Sequence, residues 1–195
     1  MSVMGKDRLA AFSDGVIAII ITIMVLELHV PHGGDASALA AIAPSFLTYV
    51  LSFIYVGIYW NNHHHLLHTV TRVDGLILWA NLHLLFWLSI IPVATAWAGQ
   101  NLSAPLPTAI YGVALLMPGI AWVLLQWAIV HRQGKQSVLA EALGRDVKGK
   151  ISPILYGAGI VLAFVNPWIS IALYVLVAII WLVPDRRIER IVGRE

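Results

Sequence analysis

The sequence predicts an all-α polytopic membrane protein with six transmembrane helices and both ends on the cytoplasmic side. Three observations predict it. Hydrophobic residues make up 59% of the 195-residue chain and charged residues only 11%, roughly half the charge fraction of an average soluble domain. The apolar residues fall in runs that approach the length needed to cross a bilayer, about 20 residues. All twelve lysines and arginines fall in four segments that alternating spans leave on one side.

The expected spans cover residues 8–28, 38–64, 76–98, 106–130, 148–165 and 168–183, and the chain reads as one six-helix domain. The first run exceeds a signal-peptide core, and no small-residue cleavage pattern follows it, so it reads as a retained helix. It ends before His29-Val30-Pro31-His32-Gly33-Gly34, a turn by composition. The third run closes before Gly99-Gln100-Asn101, and Pro105 and Pro107 introduce the fourth. The last apolar block, Ile151 to Val183, is too long for one span. Its break belongs at Asn166-Pro167, because the residue before a proline is pushed out of the helical region. One long tilted helix is the alternative. The stretch 131–150 is a polar, basic linker.

The basic residues are Lys6 and Arg8 before or at the first span, Arg72 in the segment 65–75, five in 131–150 and four after residue 183. The intervening outer loops hold none, and this asymmetry sets the orientation by the positive-inside rule. Five spans would turn the C-terminal arginines outward. The location of these charges also accounts for the pI near 9.0 without nucleic acid. Without cysteine, disulfides, thiolate metal sites and cysteine nucleophiles are excluded. Nothing resembles a catalytic triad, a P-loop, a dinucleotide fingerprint or a paired-carboxylate site, so no enzyme is expected.

Ionisable groups inside spans are costly and are functional candidates. Arg8 and Glu27 lie at the two ends of the first helix, whereas Asp14 sits about 9 Å along it from Arg8. Asp14 therefore needs a donor from another helix. His63, His64, His65 and His68 crowd the end of the second helix, and His83 lies on the third. His64 and His68 share a face at i and i+4, a spacing that suits a metal or haem. No third ligand stands at a diagnostic distance, so hydrogen bonding across helices is the favoured reading, and no metal or cofactor is expected. Asn61, Asn62, Asp74 and Asn81 add interhelical hydrogen-bonding groups. The eight tryptophans mostly flank spans, as an interfacial belt does, while Trp60 and Trp87 suit packing or donation.

A set of motifs runs through the first three helices. Arg8-x-x-x-Phe12-Ser13-Asp14-Gly15 opens the first, Trp60-x-x-His63-His64 closes the second, and Asp74-Gly75, Asn81-Leu82, Pro92 and Thr95 mark the third. Together they resemble the transmembrane protein 175 family, the endolysosomal potassium channels and their bacterial relatives. The resemblance implies a potassium-selective channel without a TVGYG filter, a homotetramer in the bilayer with the first helices around a central pore, and potassium as the permeant ion. It places a hydrophobic constriction at Ile19, Ile23 and Leu26, with Thr22 linked to selectivity. It also implies a single-repeat bacterial member in the plasma membrane. By helical geometry Asp14 lies about 140° from Ile19, pointing away from that stripe and into the subunit. Arg8, Phe12, Ser13 and Asp14 are then expected to position the first helix against Trp60, His63, His64 and Asn81. Glu27 and Asp35 near the outer mouth are expected to concentrate cations. Read without the resemblance, the isoleucine stripe is lipid-facing or core packing, and a proton- or ion-coupled transporter or a membrane haem protein are the competing functions.

Overall fold

A computed structural model describes residues 5–31, 33–134, 139 and 147–182. Among these residues six helices are described: α1 (Lys6–Leu26), α2 (Ala36–His68), α3 (Gly75–Gln100), α4 (Pro105–Gln133), α5 (Val147–Leu162) and α6 (Pro167–Leu182). The first four are each long and apolar enough to cross a membrane. The last two have 16 residues each, which is about 24 Å of helix. The basic tail after residue 182 lies outside the described residues.

Local chemistry sets the ends. Asp35 caps α2 by accepting from the Ala38 amide at 2.9 Å, and Asp74 caps α3 by accepting from Ile77 at 3.0 Å. Pro105 occupies the first turn of α4, where a missing N–H costs nothing. The chain leaves α5 after Leu162 and passes through turns at 163–165, so the break starts a few residues before Asn166-Pro167. Asn166 accepts from the Trp168 amide at 3.0 Å and Pro167 opens α6, so this pair starts a helix more than it ends one. Helices α2 and α4 overrun the expected spans, to His68 and Gln133, because a helix continues past the apolar stretch into polar side chains.

Helix α4 is the centre of the bundle and packs on α3, α5 and α6, while α1 packs mainly on α3 and α2 at the edge. Two apolar clusters result. One joins Ile17, Ile20 and Met24 of α1 to Ile77, Leu84 and Leu88 of α3 and to Leu125 and Ile129 of α4. The other surrounds Tyr174 of α6 with Tyr111 of α4, Tyr156 of α5 and Ala94 and Ala98 of α3. Buried hydroxyls find partners there. Tyr55 donates to the Tyr174 carbonyl, Thr95 donates to the Ile91 carbonyl at 2.7 Å, and Ser52 bonds to both Thr95 and Tyr111, at 2.7 and 2.8 Å.

Tyr174 fits because two glycines face it. A Cβ on Gly112 would overlap the Tyr174 hydroxyl, stand 2.6 Å from its Cζ and stand 2.8 Å from Ile160 Cγ1. Overfilling a packed core costs about 1–3 kcal/mol. Gly112→Ala is therefore expected to lower the melting temperature of the detergent-purified protein by several degrees. Gly119→Ala, whose Cβ would meet only the Tyr59 hydroxyl at 3.6 Å, should leave it unchanged.

Candidate functional site

Two sides of α1 carry different chemistry. Leu9, Ser13, Ile17, Ile20 and Met24 form a buried stripe against α2 and α3. At about 100° per residue, Ile19, Thr22, Ile23 and Leu26 all lie within about 60° of the direction opposite Ile17. These four face out of the subunit, with Leu26 80%, Ile19 57% and Ile23 42% exposed. Thr22 turns its hydroxyl back onto its own helix, donating to the carbonyls of Ile19 at 2.9 Å and Ala18 at 3.2 Å. Gly15 is exposed, and a Cβ there would meet nothing.

On the buried side, near the start of α1, three helices meet through polar side chains. The Ser13 hydroxyl donates to the Leu9 carbonyl at 2.9 Å, so its oxygen is left to accept. Asn81 Nδ2 of α3 donates to it at 2.9 Å. That orientation turns Asn81 Oδ1 toward His63 Nε2 of α2, 2.7 Å away. An amide oxygen only accepts, so His63 carries its hydrogen on Nε2. The polarity of the whole chain is thus set by one backbone carbonyl. Ser13 and Asn81 are fully buried, and His63 is 1% exposed, with no partner for Nδ1.

Asp14 makes a separate tie. Its donor is Trp60, whose Nε1–H reaches Asp14 Oδ1 at 3.1 Å. The polar groups expected to position α1 thus fall into two separate ties: Trp60 serves Asp14, whereas Asn81 and His63 belong to the Ser13 chain one residue away. The difference arises because successive residues on a helix are turned by about 100°. His64 lies outside both ties. It is exposed and bonds within its own helix to His68, Nε2 to Nε2 at 3.1 Å, and not across helices. Among the described residues Arg8 forms no ion pair, and Phe12 is exposed. His83 accepts from Trp87 at 2.9 Å, again within one helix.

At the other end of α1, Glu27 is exposed at the helix terminus. Asp35 has a structural duty that the sequence reading did not assign, as the cap of α2. The Ala38 amide and then the Ser37 hydroxyl hold its carboxyl below the usual carboxylate range, so it is ionised at neutral pH. A further contact has no local signal in the sequence. Arg132 Nε, at the end of α4, stands 2.6 Å from Asp74 Oδ2 at the start of α3. Its partners are 58 positions apart in the chain, and only the bundle topology brings them together.

The sequence pattern of the family described as the endosomal/lysosomal potassium channel TMEM175 matches residues 8–92. A potassium channel of Chryseobacterium sp. (strain P1-3) is 57% identical over 187 residues, which span 96% of this chain and 97% of the relative. The chain belongs to the TMEM175 family. The crystal structure of a lysosomal potassium-selective channel TMEM175 homolog from Chamaesiphon minutus superposes with a TM-score of 0.80 at 29% identity, covering 92% of this chain and 97% of that one. The human endosomal/lysosomal proton channel TMEM175 is 40% identical over 89 residues, 38% of this chain and 18% of that protein. The TMEM175 family is one of channels and not of enzymes. Its membership, together with the long apolar helices, makes this a multi-pass membrane protein.

Proposed function

We propose that the chain is a potassium-selective cation channel, a homotetramer in which four copies of α1 surround the pore. The observation that carries this reading is the outward stripe of Ile19, Thr22, Ile23 and Leu26, which the subunit leaves uncovered on the face opposite its own core. A fourfold ring closes such faces against a common axis. Relatives named as potassium channels, matched over nearly the whole chain, support the same reading.

The mechanism follows from what the stripe lacks. Other potassium filters replace the hydration shell with carbonyl oxygens. The TVGYG sequence is absent from this chain, and Ile and Leu side chains offer no ligand to a cation. A ring of them narrows the path, dewets it when closed and passes a partly dehydrated ion when open. Potassium holds its water less tightly than sodium, so the ring favours potassium modestly. Asp14, held by Trp60 on the side toward α2, positions the wall and does not line the narrowest point. No apolar span of the sequence carries a repeated arginine series, so conduction is of the leak type with weak voltage dependence. The basic segments put both termini in the cytoplasm of a cell membrane.

The decisive experiment is potassium flux from proteoliposomes of the purified protein. Expected is a flux above that of empty vesicles, larger for potassium than for sodium, non-saturating and independent of a co-substrate. Saturation with a required co-substrate would identify a carrier instead. A pH dye in the same vesicles reports proton passage, the activity named for the human relative. Glu27→Gln with Asp35→Asn is expected to lower conductance at low salt and to leave it unchanged at high salt, because the outer charges act by concentrating cations. Asparagine is the appropriate substitution at Asp35 because it keeps the cap.

A further inference from the structure

We propose that His64 and His68 form a binding site for a zinc-class divalent ion on the exposed face near the end of α2. Both side chains are exposed and stand one turn apart. Their ring centroids are 4.5 Å apart, and their two Nε2 atoms converge to 3.1 Å. Two imidazole nitrogens bound to one ion at about 2.0–2.1 Å are about 3.0–3.4 Å apart for angles between roughly 95° and 110° at the metal. The pair already stands at that separation, so an ion can replace the hydrogen between the rings without moving the backbone. As it binds, the ring that carries Nε2–H holds its hydrogen on Nδ1 instead, and both Nε2 lone pairs face the ion. No net proton is released.

The donor set fixes the class of ion. Two neutral imidazoles suit zinc, nickel and copper, whereas magnesium and calcium demand oxygen ligands. Among the described residues no cluster of three metal-ligating side chains exists. The site is therefore an open one, completed by water, and its affinity is modest. Its position gives it a reporter. The His64 ring lies 6.5 Å from the Trp60 ring, and Trp60 donates to Asp14 on α1. An ion on the pair sits about one helical turn from the tie between α1 and α2.

The test uses the full chain without a polyhistidine tag, purified into nanodiscs of zwitterionic lipid. Nickel is titrated by calorimetry, and copper by quenching of tryptophan fluorescence. Expected is one site per chain for nickel and no heat with magnesium. Losing a ligand costs more than losing an outer-shell partner of one, so His64→Ala and His68→Ala should each weaken binding at least about 10-fold. His29→Ala, an exposed histidine beyond the far end of α1, should bind like the parent. In Trp60→Phe the binding heat should persist while part of the copper quenching is lost. Both histidines are exposed, so their variants should melt like the parent. Undiminished nickel binding in both single variants, or loss only on changing His65, would overturn the proposal. Binding is read on the purified protein, independent of any ion flux.

Discussion

Ile23→Ala and Ile19→Ala are each expected to raise cation flux through the reconstituted protein and to move its potassium-to-sodium permeability ratio toward one. In the proposed fourfold ring each substitution acts four times. It removes three carbons from every copy, widens the aperture and lowers the cost of wetting it. Discrimination between the two ions is a difference between two barriers, and about 1.4 kcal/mol of that difference is tenfold in the ratio. A wider ring lets both ions keep more water, so the difference shrinks while both rates rise. Thr22→Ala is expected to shift the ratio by a smaller factor. The proper control is Val25→Ala, because Val25 is 45% exposed but lies off the stripe. It should leave the ratio as in the parent. These side chains contribute little to the core of one subunit, so the variants should fold, and native mass spectrometry should still find tetramers. If both isoleucine variants keep the parental ratio, the constriction lies elsewhere.

The contrast between the two faces of α1 explains what could be read from the chain and what could not. Six helices were legible because apolar length and the Asn166-Pro167 break are local properties. The angle between Asp14 and the Ile19 side of α1 was legible because helical geometry fixes angles within one element. The partner of Asp14 was not. Trp60, His63 and His64 all cluster at the end of α2, and which of them meets Asp14 depends on the rotation of α2 about its own axis. That rotation is set by packing, with Val56, His63, Leu66 and Leu67 turned inward. Once it is set, Trp60 falls beside Asp14, His63 falls beside Asn81, and His64 is left outside with His68. The Arg132–Asp74 pair was invisible for the same reason, as was the second role of Asp35, where a charge near a mouth is also a helix cap.

The buried chain from His63 to Leu9 predicts the largest loss of stability, at Asn81. Interhelical hydrogen bonds in membrane bundles are worth only about 0.6 kcal/mol on average, because a displaced group usually finds another partner. Here it does not. Asn81→Ala strands the Nε2–H of His63 and one lone pair of Ser13, both in a region closed to water. A buried polar group left without a partner costs about 1–3 kcal/mol. His63 already has Nδ1 unpaired, so it has no second bond to fall back on. Asn81→Ala should therefore lower the melting temperature far more than Ser13→Ala. The latter strands only the Asn81 amide and leaves the bond from His63 to Asn81 intact. His63→Gln should lie close to the parent, because its amide N–H can still donate to Asn81 Oδ1, whereas His63→Leu leaves that oxygen bare. This ordering depends on the direction of the bonds. Were the chain polarised the other way, with Asn81 donating to His63, Nε2 would be the acceptor. Ser13 would then be left as donor to Asn81, in conflict with its bond to the Leu9 carbonyl. Thermal melts of these four variants, read together with the fraction of tetramer by size-exclusion chromatography, test the polarity. The flux of Asn81→Ala measured well below its melting temperature then tests the consequence. With its anchor to α3 gone, α1 should be free to tilt, and the proposed pore wall should lose its alignment before the subunit unfolds.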